Sequence, residues 1–274
     1  MDDSTKVIRT GVVIIFVLIV AAATWYFFFS GKGKGTGTAE SAVAASKAAA
    51  DEVAAKEAKN LAGLAVDLDK SDDALRGLIG ELSSNPTLGQ WLKNKDLIRK
   101  FVAAVDEIAN GQSPRPQMDF FVLAGPFPTL SKNGVTTLDP AGYDRYNIIA
   151  DIFDSVSTAG CARLYGGLRP LLQAAYRELG YPKEDFHLTL QKAIVEILKV
   201  PVVDEPITLE KKIASYAMTD PKLEDLSAAQ KHVLRMGPEN LQLIQVKLRE
   251  IGLALGFADA QLPKPKAASS VPKK

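Results

Sequence analysis

The sequence predicts a mostly α protein: an N-terminal transmembrane helix, an Ala-rich stalk and one compact helical domain. Three observations carry that prediction. Residues 11–29, GVVIIFVLIVAAATWYFFF, hold no charge; residues 39–60 are dominated by alanine; and from residue 61 onward apolar residues recur at helical spacing.

As a helix, residues 11–29 would span about 28 Å at ~1.5 Å per residue, the thickness of a bilayer core. Trp25 and Tyr26 close one end, where amphipathic rings rest at headgroup level, and Lys6, Arg9, Lys32 and Lys34 flank the span. Ala21–Ala23 resembles a signal-peptide cleavage site, but the apolar run continues beyond it into bulky aromatics, which favours an uncleaved anchor. Basic residues sit on both sides, so charge bias does not set the orientation. A short tail at 1–10 followed by a large C-terminal region most simply inserts with the tail inside, leaving the domain in the periplasm beside a bacterial inner (cytoplasmic) membrane.

Between anchor and domain, residues 30–60 read as a flexible glycine-rich linker, GKGKGTGT, and a stalk whose alanines favour helix while burying little. Residues 61–257 have the composition of a single-core domain. Residues 258–274 carry four lysines and few large apolar groups, and read as a disordered basic tail.

Within the domain, Leu97, Ile98, Phe101, Val102, Val105 and Ile108 fall on one helical face that Asn110 and Gly111 can end. Phe186, Leu190, Ile194, Ile197 and Leu198 repeat the pattern before Pro201. Two more helices are expected at Tyr143–Val156 and Cys161–Leu179, the second kinked or divided by Pro170, which cannot donate to the helical ladder. Phe120–Leu123 reads as one short strand, and the proline-flanked stretch from residue 201 as extended chain with a short helix near Leu209–Ala217.

The run KHVLRMGPEN at 231–240 joins two helices. Ser227 and Gln230 form a capping-box pattern, Gly237 can end the first helix, Pro238 fits the first turn of the next, and Glu239 suits its positive end. Leu241, Ile244, Leu248, Ile251 and Leu255 then give a continuous apolar face. With AAQKHVLRMGPEN, the segments LIRKFVAAVDEIANG (97–111), RPLLQAAYRELGYP (169–182) and YAMTDPKLEDLSAAQ (216–230) resemble an uncharacterised bacterial family, domain of unknown function 3014, over roughly residues 61–255. The resemblance implies a single-pass envelope protein. It implies no reaction, so it assigns no catalytic residue.

Lys plus Arg number 33 against 32 Asp plus Glu, a balance that gives no bulk field for nucleic acid. The single cysteine, Cys161, excludes an intrachain disulfide framework and a cysteine-based zinc site. His187 and His232 lie in no metalloprotease motif, and there is no nucleophile elbow or phosphate-binding loop. No catalytic residue, metal ligand or cofactor is therefore assigned. Tyr143, Arg145 and Tyr146, with Tyr176, Arg177 and Tyr181, form a candidate ligand-binding set of stacking rings and orienting charges. Half-buried core tyrosines explain the same residues more simply. Asp220, Glu224, Arg235, Gly237, Pro238 and Glu239 form a candidate structural corner, in which Arg235 would bridge Asp220 or Glu224.

The expected role is a non-enzymatic interaction or scaffold module, with the bilayer and another envelope protein as partners. The alternative is a domain that binds, or hydrolyses, a cell-wall or lipid component in a Tyr/carboxylate cleft.

Overall fold

A computed structural model of the chain describes residues 67–80, 92–118, 125–213 and 215–265. The apolar stretch 11–29, the stalk and the strand expected at Phe120–Leu123 lie outside them. No helix among the described residues is long and apolar enough to cross a membrane.

Helices α1 (Ser71–Gly80) and α2 (Leu97–Ala109) are joined by a borrowed cap. Asp96 sits at φ 58° and makes no side-chain cap of its own. The Asp72 carboxylate instead accepts the amides of Asp96 and Leu97 at 2.8 and 3.0 Å, satisfying donors that α2 leaves open. The expected stripe on α2 is buried from Leu97 to Val105, and the helix stops where Asn110 and Gly111 were expected to stop it, with Gly111 at φ 69°.

The first helix expected after residue 139 begins later than the pattern suggested. Asp139 accepts the Ala141 amide at 3.0 Å, which starts a single turn at Pro140–Gly142. A second turn at Asp144–Tyr146 leads into α3 (Asn147–Ser155). Helix α4 (Thr158–Glu178) is capped by Ser157 and runs through Pro170 without dividing. The residue four before that proline is Gly166, which has no side chain to meet the ring, and both positions are exposed, so water can take the freed carbonyl. Helix α5 (Phe186–Leu198) is capped by Asp185.

The larger departure is a four-stranded antiparallel meander, β1 (Thr129–Lys132), β2 (Val135–Leu138), β3 (Thr208–Lys211) and β4 (Tyr216–Met218), in that spatial order. The helix expected near Leu209–Ala217 is in fact the β3–β4 hairpin. Thr208 and Leu209 pair with Thr137 and Thr136 of β2, and Leu209 with Met218 of β4. That local pattern is too short to choose between helix and strand, and pairing with a segment some seventy residues away decides it.

A one-turn helix, α6 (Pro221–Glu224), precedes α7 (Ala228–Leu234) and α8 (Pro238–Ala254). Both bonds of the Ser227–Gln230 capping box form. Helix α2 packs against α4 and α5, and α8 packs against α3, α4 and α5, giving one helical core. A smaller core at the sheet's base gathers Leu138, Leu209, Met218, Leu223, Leu234 and Leu241. The fold also runs past Phe257: a turn at Asp259–Gln261 returns Leu262, buried, onto Gly252, so the part of the expected tail up to residue 265 is ordered.

The corner between α7 and α8 is the tightest point. Gly237 sits at φ 86°, and a Cβ there would lie 2.7 Å from Cδ2 of the Tyr143 ring. Gly237→Ala is therefore expected to destabilise the domain by about 2–4 kcal/mol, combining left-handed strain with overpacking. Urea unfolding of the variant and the parent measures this.

Candidate functional site

Where the helical core meets α7, it leaves a cavity of about 480 Å³. Its deep wall is apolar, formed by Phe101 and Val105 of α2, Ile149 and Phe153 of α3, and Ile194 and Ile197 of α5. Its outer wall comes from segments far apart in sequence: Pro114 and Arg115, Gly125 to Phe127, Arg145 and Tyr146, then His232, Arg235 and Met236. Of these Arg115 is exposed and Arg145, Tyr146, His232 and Arg235 are half-buried, so the polar groups ring the end nearer solvent.

That ring is cationic. Three arginines line it, and no carboxylate does among the described residues. Arg145 Nη1 donates to the Pro126 carbonyl at 3.3 Å, fixing the loop beside the opening. Burial lowers the Arg235 pKa from its usual range, and the Arg115 charge lowers it further against opposing help from Tyr146 and Glu224. Arg235 donates to the Lys231 carbonyl at 3.3 Å and forms no ion pair among the described residues. The Tyr146 hydroxyl is raised by burial, while Arg145, Arg235 and Arg115 each pull it down, so it lies within the field of all three guanidiniums.

A family model described as "Protein of unknown function (DUF3014)" matches residues 97–252, more than half of the chain. The chain belongs to this family. The matched region includes every helix and loop that walls the cavity. No curated protein and no solved structure matches the chain.

The DUF3014 domain separates the two halves of the expected tyrosine set. Arg145 and Tyr146 reach the cavity. Tyr143 instead packs its ring on Phe127, centroids 5.9 Å apart, and against Gly237. Tyr176 and Tyr181 stack at 4.5 Å elsewhere in the core, where their hydroxyls reach Asp106 at 3.5 and 3.1 Å; Tyr176 also bonds Thr189 at 2.9 Å. Their polar ends are satisfied internally, and Arg177 lies exposed on the surface.

The expected bridge from Arg235 to Asp220 or Glu224 is not formed. Asp220 caps α6 by accepting the Lys222 amide at 2.9 Å. Glu224 accepts Lys231 Nζ at 2.8 Å and the Met218 amide at 2.8 Å, tying β4 to α7. Lys231, one turn before Arg235 on α7, holds the Glu224 carboxylate instead. Gly237, Pro238 and Glu239 do form the corner, with Glu239 exposed in the first turn of α8.

His232 lines the cavity with its Nε2 at 2.7 Å from Ser113 Oγ. Ser113 is not among the described residues of the cavity wall, and its contact orients the His232 imidazole. No described group of three or more His, Cys, Asp or Glu is placed to hold a metal. Cys161 is buried on α4.

Burial, with Arg235 and Arg115, lowers His232 to about 4, and burial lowers His187 as well. A depressed histidine binds fewer protons in the folded than in the unfolded state, so acid favours unfolding through the interval between the two values. Stability is expected to fall as pH drops from about 6.5 towards about 4. The His232→Gln variant should show a shallower fall over that interval than the parent, as read from urea midpoints at each pH.

Proposed function

We propose that the DUF3014 domain is a binding module for one amphiphile, whose apolar tail fills the cavity and whose carboxylate or phosphate head meets Arg115, Arg145 and Arg235. We further propose that residues 11–29 anchor it in a bacterial inner membrane with the domain on the periplasmic side, where such ligands are at hand. This reading takes up the lipid-binding alternative rather than the scaffold role.

One observation carries the proposal: a dry-walled cavity of ligand size whose polar end is lined by guanidiniums and no described carboxylate. A half-buried arginine without an ion pair costs desolvation that an arriving anion would return. Three guanidiniums around one opening can grip a planar or tetrahedral oxyanion bidentately. The apolar wall would hold a tail by area burial, with no need for a specific polar partner.

A displacement titration on the full chain separates the parts. A long-chain fatty acid should bind saturably, and the alcohol of the same length more weakly. Arg235→Met should weaken the acid roughly tenfold, the scale of one charge-assisted bond, and leave the alcohol unchanged. Its unfolding midpoint should stay level or rise, because a half-buried charge with no ion pair among the described residues has been removed. Equal binding of acid and alcohol, or no saturable site, would overturn the proposal.

A further inference from the structure

The sheet's free end carries a second feature, independent of the cavity. The pairing of Thr136 with Leu209 and Thr137 with Thr208 makes β2 and β3 antiparallel, so both hairpin tips project side by side at the same end. The opposite end is held in the smaller core through Leu138, Leu209 and Met218. The first hairpin turns at Asn133 and Gly134, at φ 53° and 81°, the conformation of a tight two-residue turn. The second closes through the Lys212 amide on the Ser215 carbonyl at 2.9 Å.

Apolar side chains crowd this end. Val135 is 50% exposed, Tyr216 44% and Ile213 106%, the most exposed of the large apolar residues. Lys132, Lys211 and Lys212 stand among them, and Glu210, paired with Lys212 at 2.7 Å, is the one acid in the described residues of the two hairpins. Lysine on an edge strand also blocks unwanted strand pairing. That does not account for Ile213, which lies beyond the strand and stands fully exposed among the described residues.

We infer that the two hairpin tips dock on an anionic bilayer surface, with Ile213, Val135 and Tyr216 entering the interface and Lys132, Lys211 and Lys212 meeting lipid phosphates. The shape favours lipid over a protein partner. These apolar groups sit at separate positions on the two hairpins, interleaved with lysines, and the hollow that Ile213 shares with Lys211, Lys212 and Ser215 is wide open. A headgroup layer accepts such separated insertions, places tyrosine at its own level and attracts lysine. The inference stands whether or not the cavity binds an amphiphile.

The full chain, carrying an environment-sensitive dye at Ile213→Cys, is mixed with vesicles of phosphatidylcholine alone or with phosphatidylglycerol, each containing nitroxide-labelled lipid. Leu253→Cys, near the far end of α8, is the control site. In the anionic vesicles the dye at 213 should shift to the blue and be quenched, and the dye at 253 should not. High salt, or Lys211→Glu with Lys212→Glu, should weaken the anionic-vesicle signal at least tenfold, about 1 kcal/mol being lost with each lysine. Equal quenching at both sites, quenching at 213 that ignores lipid charge, or no quenching would overturn the inference. So would a blue shift at 213 without vesicles, which would indicate a protein contact.

Discussion

The arrangement of the domain depends on one close approach, that of Gly237 to Tyr143. Only a residue without Cβ fits against that ring, and only one that tolerates φ 86° can turn the chain there. The corner is then fastened by Asn240, whose side-chain amide lies 3.2 Å from the Tyr143 carbonyl, 3.0 Å from Asn147 Oδ1 and 3.0 Å from the Met236 carbonyl. With the turn fixed, Leu234 and Leu241 face the small core at the sheet's base, while Met236, Ile244 and Leu248 face the large one. Helix α7 is thus held at an angle that puts His232 and Val233 on the cavity wall. One hinge of three residues joins the two cores and sets the α7 wall of the cavity.

A second polar contact fixes the far side of the same space. Gln245 Nε2, buried on α8, reaches the carbonyls of Ile197 and Val200 at 3.0 and 2.8 Å, where α5 has run out of intrahelical partners. The bond ties the end of α5 to the middle of α8, so the apolar wall from Leu190 to Ile197 cannot slide relative to α8. The cavity is therefore fastened at its edge by this contact and walled on its deep side by apolar side chains, while Gln245 Oε1 stays buried without a partner among the described residues.

Much of this was legible in the sequence, and the pattern of what was not has a physical explanation. Long periodic stretches such as Leu97–Ala109 and Phe186–Leu198 announce themselves because their apolar stripes repeat over several turns. The corner was readable because Ser227, Gln230, Gly237 and Pro238 act through their own backbone neighbours. The β3–β4 hairpin was not, since four-residue strands have too few positions to display a period and are chosen by their partners. The cationic ring was the least readable. Arg145 and Tyr146 were singled out for a tyrosine cluster that the fold does not assemble, and Arg115 carried no local signal because its significance comes from residues 120 positions away. The useful signal was compositional and negative: Arg115 lies between prolines, in a stretch unable to become a buried helix.

The partition of charge at the corner bears on the anion-holding role proposed for Arg235. The Glu224 charge is felt at Arg235 and raises its pKa against the effect of burial. The carboxylate is instead taken by Lys231 and by the Met218 amide, and among the described residues the Arg235 guanidinium donates to the Lys231 carbonyl. Burial lowers the pKa of Arg235, and two further arginines stand beside it on the cavity wall. In the proposed reading, an entering anion would offset that desolvation by pairing with the guanidinium.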